Sequence, residues 1–126
     1  MTNHYQRGRR VEQQVIDHLG GLGYDCIRAA ASKGAGDIWA IHDQELCLIQ
    51  VKINDKSLPS PAERTELLRI ARRVTGAYAL VAFKVPDESD KRKSRIVFRQ
   101  LTGTGPREFV PWIPQGVTYS TEDVSV

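Results

Sequence analysis

The sequence has few of the residues that would tie it to a disulfide scaffold, a membrane or a second domain. Cysteine occurs twice, at Cys26 and Cys47, both inside apolar runs where a free thiol packs as a small hydrophobe. Two cysteines cannot form a disulfide-rich framework, and by themselves they make no zinc site; a bridge between adjacent strands is the only pairing left open. No apolar stretch approaches the roughly 18 to 20 residues of a membrane span, and the opening "MTNHYQRGRR" lacks the apolar segment of a secretory signal. A soluble, cytoplasmic protein with no membrane partner is expected. No internal repeat is visible. At 126 residues the chain is long enough for one domain with a real core and short for two.

Basic residues are missing from the end of the chain, where no lysine or arginine follows Arg107. The formal net charge is only +3, from eighteen bases and fifteen acids. Three of those acids, Glu108, Glu122 and Asp123, lie after Arg107, so residues 1–107 carry eighteen bases against twelve acids. That excess favours a polyanionic partner.

Apolar periodicity supplies the elements. Val11, Val15, Leu19 and Leu22, at spacings of four, four and three, predict an amphipathic helix from about residue 6 to 19, ended by glycines. "DCIRAAA", "DIWAIHD" and "ELCLIQVK" read as three strands, with "HDQE" as the hairpin turn between the second and third. Residues 46–49 are all apolar, so the third strand is expected to be central and covered on both faces. In "SPAERTELLRIARRV", Ser60 is an N-cap, Pro61 the first helical residue and Glu63 its capping-box partner; Leu67, Leu68, Ala71 and Val74 form one face. "AYALVAFKV" is a further buried strand, "PDESDKRKS" a charged turn and "RIVFRQL" the last strand. The order is helix, three strands, helix, two strands: an α/β fold with a mixed central β-sheet flanked by helices. Residues 1–101 form the main domain, and residues 102–126 read as an irregular C-terminal tail of that domain, anchored at Phe109 and Trp112.

Strand geometry then gathers polar groups at one place. Residues two apart share a face, so Gln50 and Lys52 project together. If the hairpin turns at "HDQE", Asp37, just after the glycines of "GAG", lies opposite that end. A carboxylate, an amide oxygen, the Val51 carbonyl and an ammonium would converge there. A hard cation such as Mg²⁺ takes oxygen ligands of this kind, and a neighbouring lysine can hold a phosphate oxygen or orient water. The set suits metal-assisted phosphodiester cleavage. Strands also end in polar residues simply on reaching solvent, and aspartate after glycine is a common turn former. Glu12, at the border of the first helix's apolar face, can reach inward to a cation, pair with Arg9 or turn to water; periodicity does not choose.

The run "YQRGRRVEQQVIDHLGGLGYDCIRAAASKGAGDIWAIHDQELCLIQVK" resembles the N-terminal half of the archaeal-type Holliday junction resolvases, members of the PD-(D/E)xK superfamily, with looser similarity through about residue 100. The resemblance implies a restriction-endonuclease-like nuclease core, in which Glu12 is the helix glutamate, Ser32 the active-site serine, Asp37 the metal aspartate, Gln50 the second ligand and Lys52 the lysine. Glu12, Asp37, Gln50 and the Val51 carbonyl would hold Mg²⁺, with Mn²⁺ able to substitute. It also implies a homodimer that binds a four-way DNA junction and nicks opposed strands, leaving 5′ phosphates. Two departures stand out: Gln50 replaces the usual glutamate, removing one negative charge, and no proline precedes Asp37.

Arg7, Arg9, Arg10, Arg28, Lys33 and Lys56 surround the predicted site and suit backbone phosphates. Arg69 and Arg73, four apart on the second helix, form a further candidate DNA surface, or a solvated face moderated by Glu66. Phe98, Phe109 and Trp112 are candidates for the dimer interface or for packing within their own subunit. Two other functions fit the same residues: a PD-(D/E)xK or QxK endonuclease of restriction or repair type, and a non-catalytic DNA-binding relative.

Overall fold

The fold is that of a computed structural model describing residues 4–29 and 36–116, with side chains described from Gly8. Ser32 and Lys33, and the side chain of Arg7, lie outside the described residues. Helix α1, His4–Gly21, buries Val11, Val15 and Leu19 as its spacing predicts. It runs past Leu19 because Gly20 and Gly21 remain helical; the stop comes at Gly23, with φ 97°. There Tyr24 N–H donates to the Leu19 carbonyl at 3.0 Å and Gly23 N–H to that of Gly20 at 3.1 Å, the pairing of a Schellman cap.

Strands β1, Asp25–Arg28, β2, Ile38–His42, and β3, Glu45–Asn54, form an antiparallel meander. The β2–β3 turn holds only Asp43 and Gln44, and Asp43 takes a positive φ of 53°, which a short polar side chain tolerates. A βα crossover through α2, Pro61–Ala71, sets β4, Ala77–Pro86, parallel to β3. Antiparallel β5, Ser94–Leu101, and β6, Phe109–Trp112, complete a six-stranded sheet in the order β1-β2-β3-β4-β5-β6.

The central position of β3 explains its unbroken apolar run. Cys47 and Ile49 pack on the α1 side with Leu19, Ile38 and Leu80, while Leu48 packs on the α2 side with Leu67, Leu68 and Val81. The full capping box of Ser60 and Glu63 forms. The predicted extension of α2 to Val74 does not: the helix ends at Ala71 and Val74 is exposed, because the chain must turn through Gly76 to enter β4. A Cβ on Gly76 would stand 2.6 Å from the Gln44 carbonyl oxygen.

Beyond Leu101 the expectation of an irregular tail is corrected by β6. Pro111 and the neighbouring glycines hid a short edge strand, a position that tolerates proline. Trp112 meets Phe98 edge-on at 5.4 Å, and the Arg99 guanidinium lies between the rings of Phe83 and Phe109, 4.6 and 4.5 Å from their centroids. Phe98 is 3% exposed, so its side chain serves its own core and not an interface. Cys26 and Cys47 each face Ala40, two strand spacings or roughly 10 Å apart. That separation excludes a bridge, which needs Cα atoms within about 7 Å. Among the described residues no helix is long and apolar enough to cross a membrane.

Replacing Ile49 by alanine removes a fully buried side chain from the central strand and is predicted to cost about 2–5 kcal/mol in urea denaturation. Ile27→Ala, at a side chain 57% exposed on the edge strand, should stay within about 0.5 kcal/mol of wild type.

Candidate active site

The β2–β3 pairing sets Ile38 opposite Ile49, and its continuation brings Asp37 opposite Gln50. Asp37 N–H donates to the Ile49 carbonyl at 2.7 Å, and the Asp37 carbonyl accepts from Ala29 N–H at 2.9 Å. Gly36 makes the approach possible: its φ is 86°, and a Cβ there would lie 2.8 Å from the Ile49 carbonyl oxygen. The aspartate is therefore held by backbone on both sides before its carboxylate makes any contact.

That carboxylate reaches over β3. Its Oδ2 accepts from the Gln50 side-chain Nε2 at 2.9 Å and from the Val51 N–H at 2.8 Å. Because Gln50 spends its NH₂ on Asp37, its amide oxygen is left as an acceptor. The Val51 N–H points toward Asp37, and in a strand the N–H and C=O of one residue address the same edge, so the Val51 carbonyl opens on this side too. Gln50 and Lys52 share a face, as predicted, and by alternation with Leu48 it is the α2 face, while Val51 packs on the α1 side.

Lys52 Nζ donates to Glu63 Oε1 at 3.1 Å and to Oε2 at 3.4 Å. Glu63 was legible as a capping residue but not as a member of this site; the missing signal was spatial, since α2 begins above the end of β3. Glu12 Oε1 pairs with Arg28 Nε at 3.3 Å, and Arg28 Nη2 also donates to the Arg9 carbonyl at 3.4 Å. Arg28 is a partner for Glu12 that helical periodicity did not suggest.

The four charges feel one another. Burial pushes the Asp37 carboxyl above its ordinary value; the Val51 N–H and Lys52 pull it down, while Glu12 and Glu63 push it further up. For Glu63, burial acts upward too, but the Ser60 N–H and Lys52 outweigh it and hold the carboxyl below its usual range.

The predicted cations divide into two groups. Arg9, Arg10, Arg28 and Lys56 stand at the site's end of the molecule, and Lys84, which the sequence reading omitted, faces Asn54 there and lines a hollow with Arg10 and Val11. Arg69 lies about 9 Å down the α2 axis from Glu63 and is gripped by Glu66 at 2.6 and 3.0 Å. Arg73 is beyond the end of the helix, so the two do not share a helical face. Among the described residues no three histidine, cysteine or acidic side chains form a closed metal-binding cluster. The oxygen donors available are Asp37, Gln50, the Val51 carbonyl and Glu12, a hard-cation set that includes only two carboxylates.

A mixed sheet that gathers aspartate, amide, backbone carbonyl and lysine where a hairpin meets a parallel crossover defines a restriction-endonuclease-like nuclease core. Fourteen chains among solved structures match this one. The structure of Hjc, a Holliday junction resolvase from the archaeal hyperthermophile Archaeoglobus fulgidus, is similar with a TM-score of 0.64 and 26% identity; the match covers 82% of this chain and 88% of that one. The model of the archaeal Holliday junction resolvase (Hjc) family matches residues 3–105, and the chain belongs to that family. No curated protein matches.

Asp37→Asn tests the electrostatics of the site through stability alone. Because burial raises the folded-state value, ionised Asp37 destabilises the fold at neutral pH, and that penalty disappears on protonation. The variant is predicted to be more stable than wild type at pH 7, with the difference shrinking as pH falls through the raised Asp37 value toward the unfolded value of about 3.9. Urea midpoints across that range check it.

Proposed function

We propose that this protein is a structure-selective endonuclease that resolves four-way DNA junctions by metal-dependent, paired phosphodiester hydrolysis. The observation that carries the reading is the contact of Asp37 with Gln50 and Val51, with Lys52 two residues on, inside a fold of the resolvase family.

Asp37, the Gln50 amide oxygen, the Val51 carbonyl and Glu12 would hold Mg²⁺, or Mn²⁺ in its place. Bound there, the cation supplies Lewis-acid polarisation of the scissile phosphate and acidifies the attacking water. Lys52 contributes a fixed positive charge beside these ligands and holds a phosphate oxygen or the water. Water adds to phosphorus and the 3′ oxygen leaves, so the phosphate remains on the 5′ end. Ser32, near Asp37 in sequence, belongs to this site by family resemblance.

Arg9, Arg10, Arg28, Lys56 and Lys84 form the phosphate-binding surface, and Arg7 and Lys33 are assigned to the same role from sequence alone; Arg69 and Arg73, toward the far end of α2, are peripheral to it. An incoming phosphate competes with Glu12 for Arg28, and the exchange frees Glu12 to turn toward the cation. This coupling gives metal binding that is weak in the free protein and firm with DNA. A homodimer supplies two such sites related by the symmetry of the branched substrate.

Incubated with a four-way junction in Mg²⁺, the wild type is predicted to make paired nicks, and to leave linear duplex of the same sequence uncut. Asp37→Asn should abolish cleavage while retaining junction binding. Gln50→Glu should lower the Mg²⁺ concentration at half-maximal rate, and Gln50→Ala should raise it or remove activity. Equal cutting of duplex and junction would indicate a general endonuclease, and binding without cutting a non-catalytic relative.

Solution mass at micromolar concentration is predicted to be that of a dimer; a monomer that retains paired cleavage would exclude the symmetric arrangement.

A further inference from the structure

We propose that Glu63 is a positioning residue for cleavage, holding the Lys52 ammonium in place over the strand end; the inference rests on the nuclease reading above. In sequence Glu63 has a sufficient local role, the third residue of a capping box, where its carboxylate accepts the Ser60 N–H at 2.7 Å. A capping box needs nothing more. Yet the same Oε1 also accepts from Lys52 Nζ at 3.1 Å, with Oε2 at 3.4 Å. One carboxylate thus joins the start of α2 to the lysine on β3.

The chain between the two residues is built to close on this contact. The β3–β4 register shifts between Lys52 and Asn54, the mark of a bulge, a device that re-aims side chains near the end of a strand. Asn54 Oδ1 then accepts from the Lys56 and Ser57 N–H groups at 2.9 and 3.1 Å, turning the chain back toward Ser60. Ser60 caps α2 through its hydroxyl, which accepts from the Glu63 N–H at 3.1 Å. Bulge, turn and cap return Glu63 to the residue from which the loop departed.

The contact limits what Lys52 can do. A lysine on four flexible carbons is otherwise free to sweep solvent, and ordering it at the moment of reaction costs entropy. The side chains of Lys52 and Glu63 are 21% and 34% exposed, so the pair is sheltered but open on one side. An ammonium has three donors. With Glu63 engaging one direction, the others stay available to a phosphate oxygen and to water beside Asp37. Glu63 touches neither substrate nor cation in this assignment and acts only through Lys52.

Glutamine separates the two roles, since it also serves at the third position of a capping box but presents Lys52 with a neutral amide. For full-length Glu63→Gln at saturating enzyme, the single-turnover rate on a four-way junction in Mg²⁺ is expected to fall about 10- to 100-fold, the loss attached to one charged hydrogen bond. Melting temperature should stay near wild type, and junction affinity without divalent metal should be unchanged or tighter, since a negative charge has left a phosphate-binding surface. Ser60→Ala is the comparison: it removes only the hydroxyl that accepts from the Glu63 N–H and keeps the Glu63 carboxylate and the Ser60 N–H, so it should lower the melting temperature more than Glu63→Gln does while lowering the rate far less. A wild-type rate for Glu63→Gln, or rates that follow melting temperature across both variants, would overturn the assignment.

A second readout needs no variant. In wild type, the Lys52 ammonium protons should be slowed in solvent exchange and give a resolved ¹⁵N-correlated NMR signal; its absence counts against the pair. If the wild type cuts duplex instead of junction, the substrate assignment above falls and the rates are measured on duplex; if it cuts neither, both proposals fall.

Discussion

The 2.7 Å hydrogen bond from the Asp37 N–H to the Ile49 carbonyl sets the register on which the rest of the molecule depends. Strand side chains alternate, so a slip of one residue would turn Ile38 and Ala40 out of the core together. The same slip would carry Asp37 away from the Val51 N–H and the Gln50 amide. Packing of the apolar face and assembly of the site are thus one constraint. Gly36 belongs to it because no other residue fits a positive φ so close to the Ile49 carbonyl.

This coupling explains which features could be read from sequence. The α1 face, the central place of β3, the hairpin at "HDQE" and the capping box are encoded by local spacing, and each formed. Asp37, Gln50 and Lys52 could be brought together on paper because a tight hairpin converts sequence offset directly into cross-strand position. Glu63 could not, since its place depends on how a bulge and an Asn54 turn direct the chain between two elements, and no period records that. The β6 strand escaped for the opposite reason: it is four residues long with a proline at its third position, and its pairing partner rather than its own composition makes it a strand. Val74 continued the apolar spacing of α2, but the turn into β4 overrode it.

The cations of the site's end illustrate why a count of charges says little until partners are known. Arg28 and Arg69 look equivalent as sequence, yet both are paired with glutamates in different circumstances. Arg69 and Glu66 are neighbours on one exposed helical turn, where solvent screens the pair. Arg28 and Glu12 come from different elements and are each about a quarter exposed, with side-chain values of 30% and 22%. The second pair joins two groups that the proposed function assigns to phosphate and to metal; the first lies within one turn of a helix.

Gln50 is best understood through the carboxyl it touches. Asp37 already carries the cost of burial and the repulsion of Glu12 and Glu63, which Lys52 and one backbone N–H offset only in part. A carboxylate at position 50 would put a further negative charge within hydrogen-bond distance of Asp37 Oδ2, where like charges raise one another's proton affinity. An amide does the reverse: its NH₂ donates to that oxygen while its carbonyl stays available to a hard cation. The substitution therefore exchanges attraction for a metal against order without one. Glutamine holds Asp37 aimed in the free protein, and under the proposed function it leaves to substrate phosphate part of the negative charge that a second carboxylate would supply.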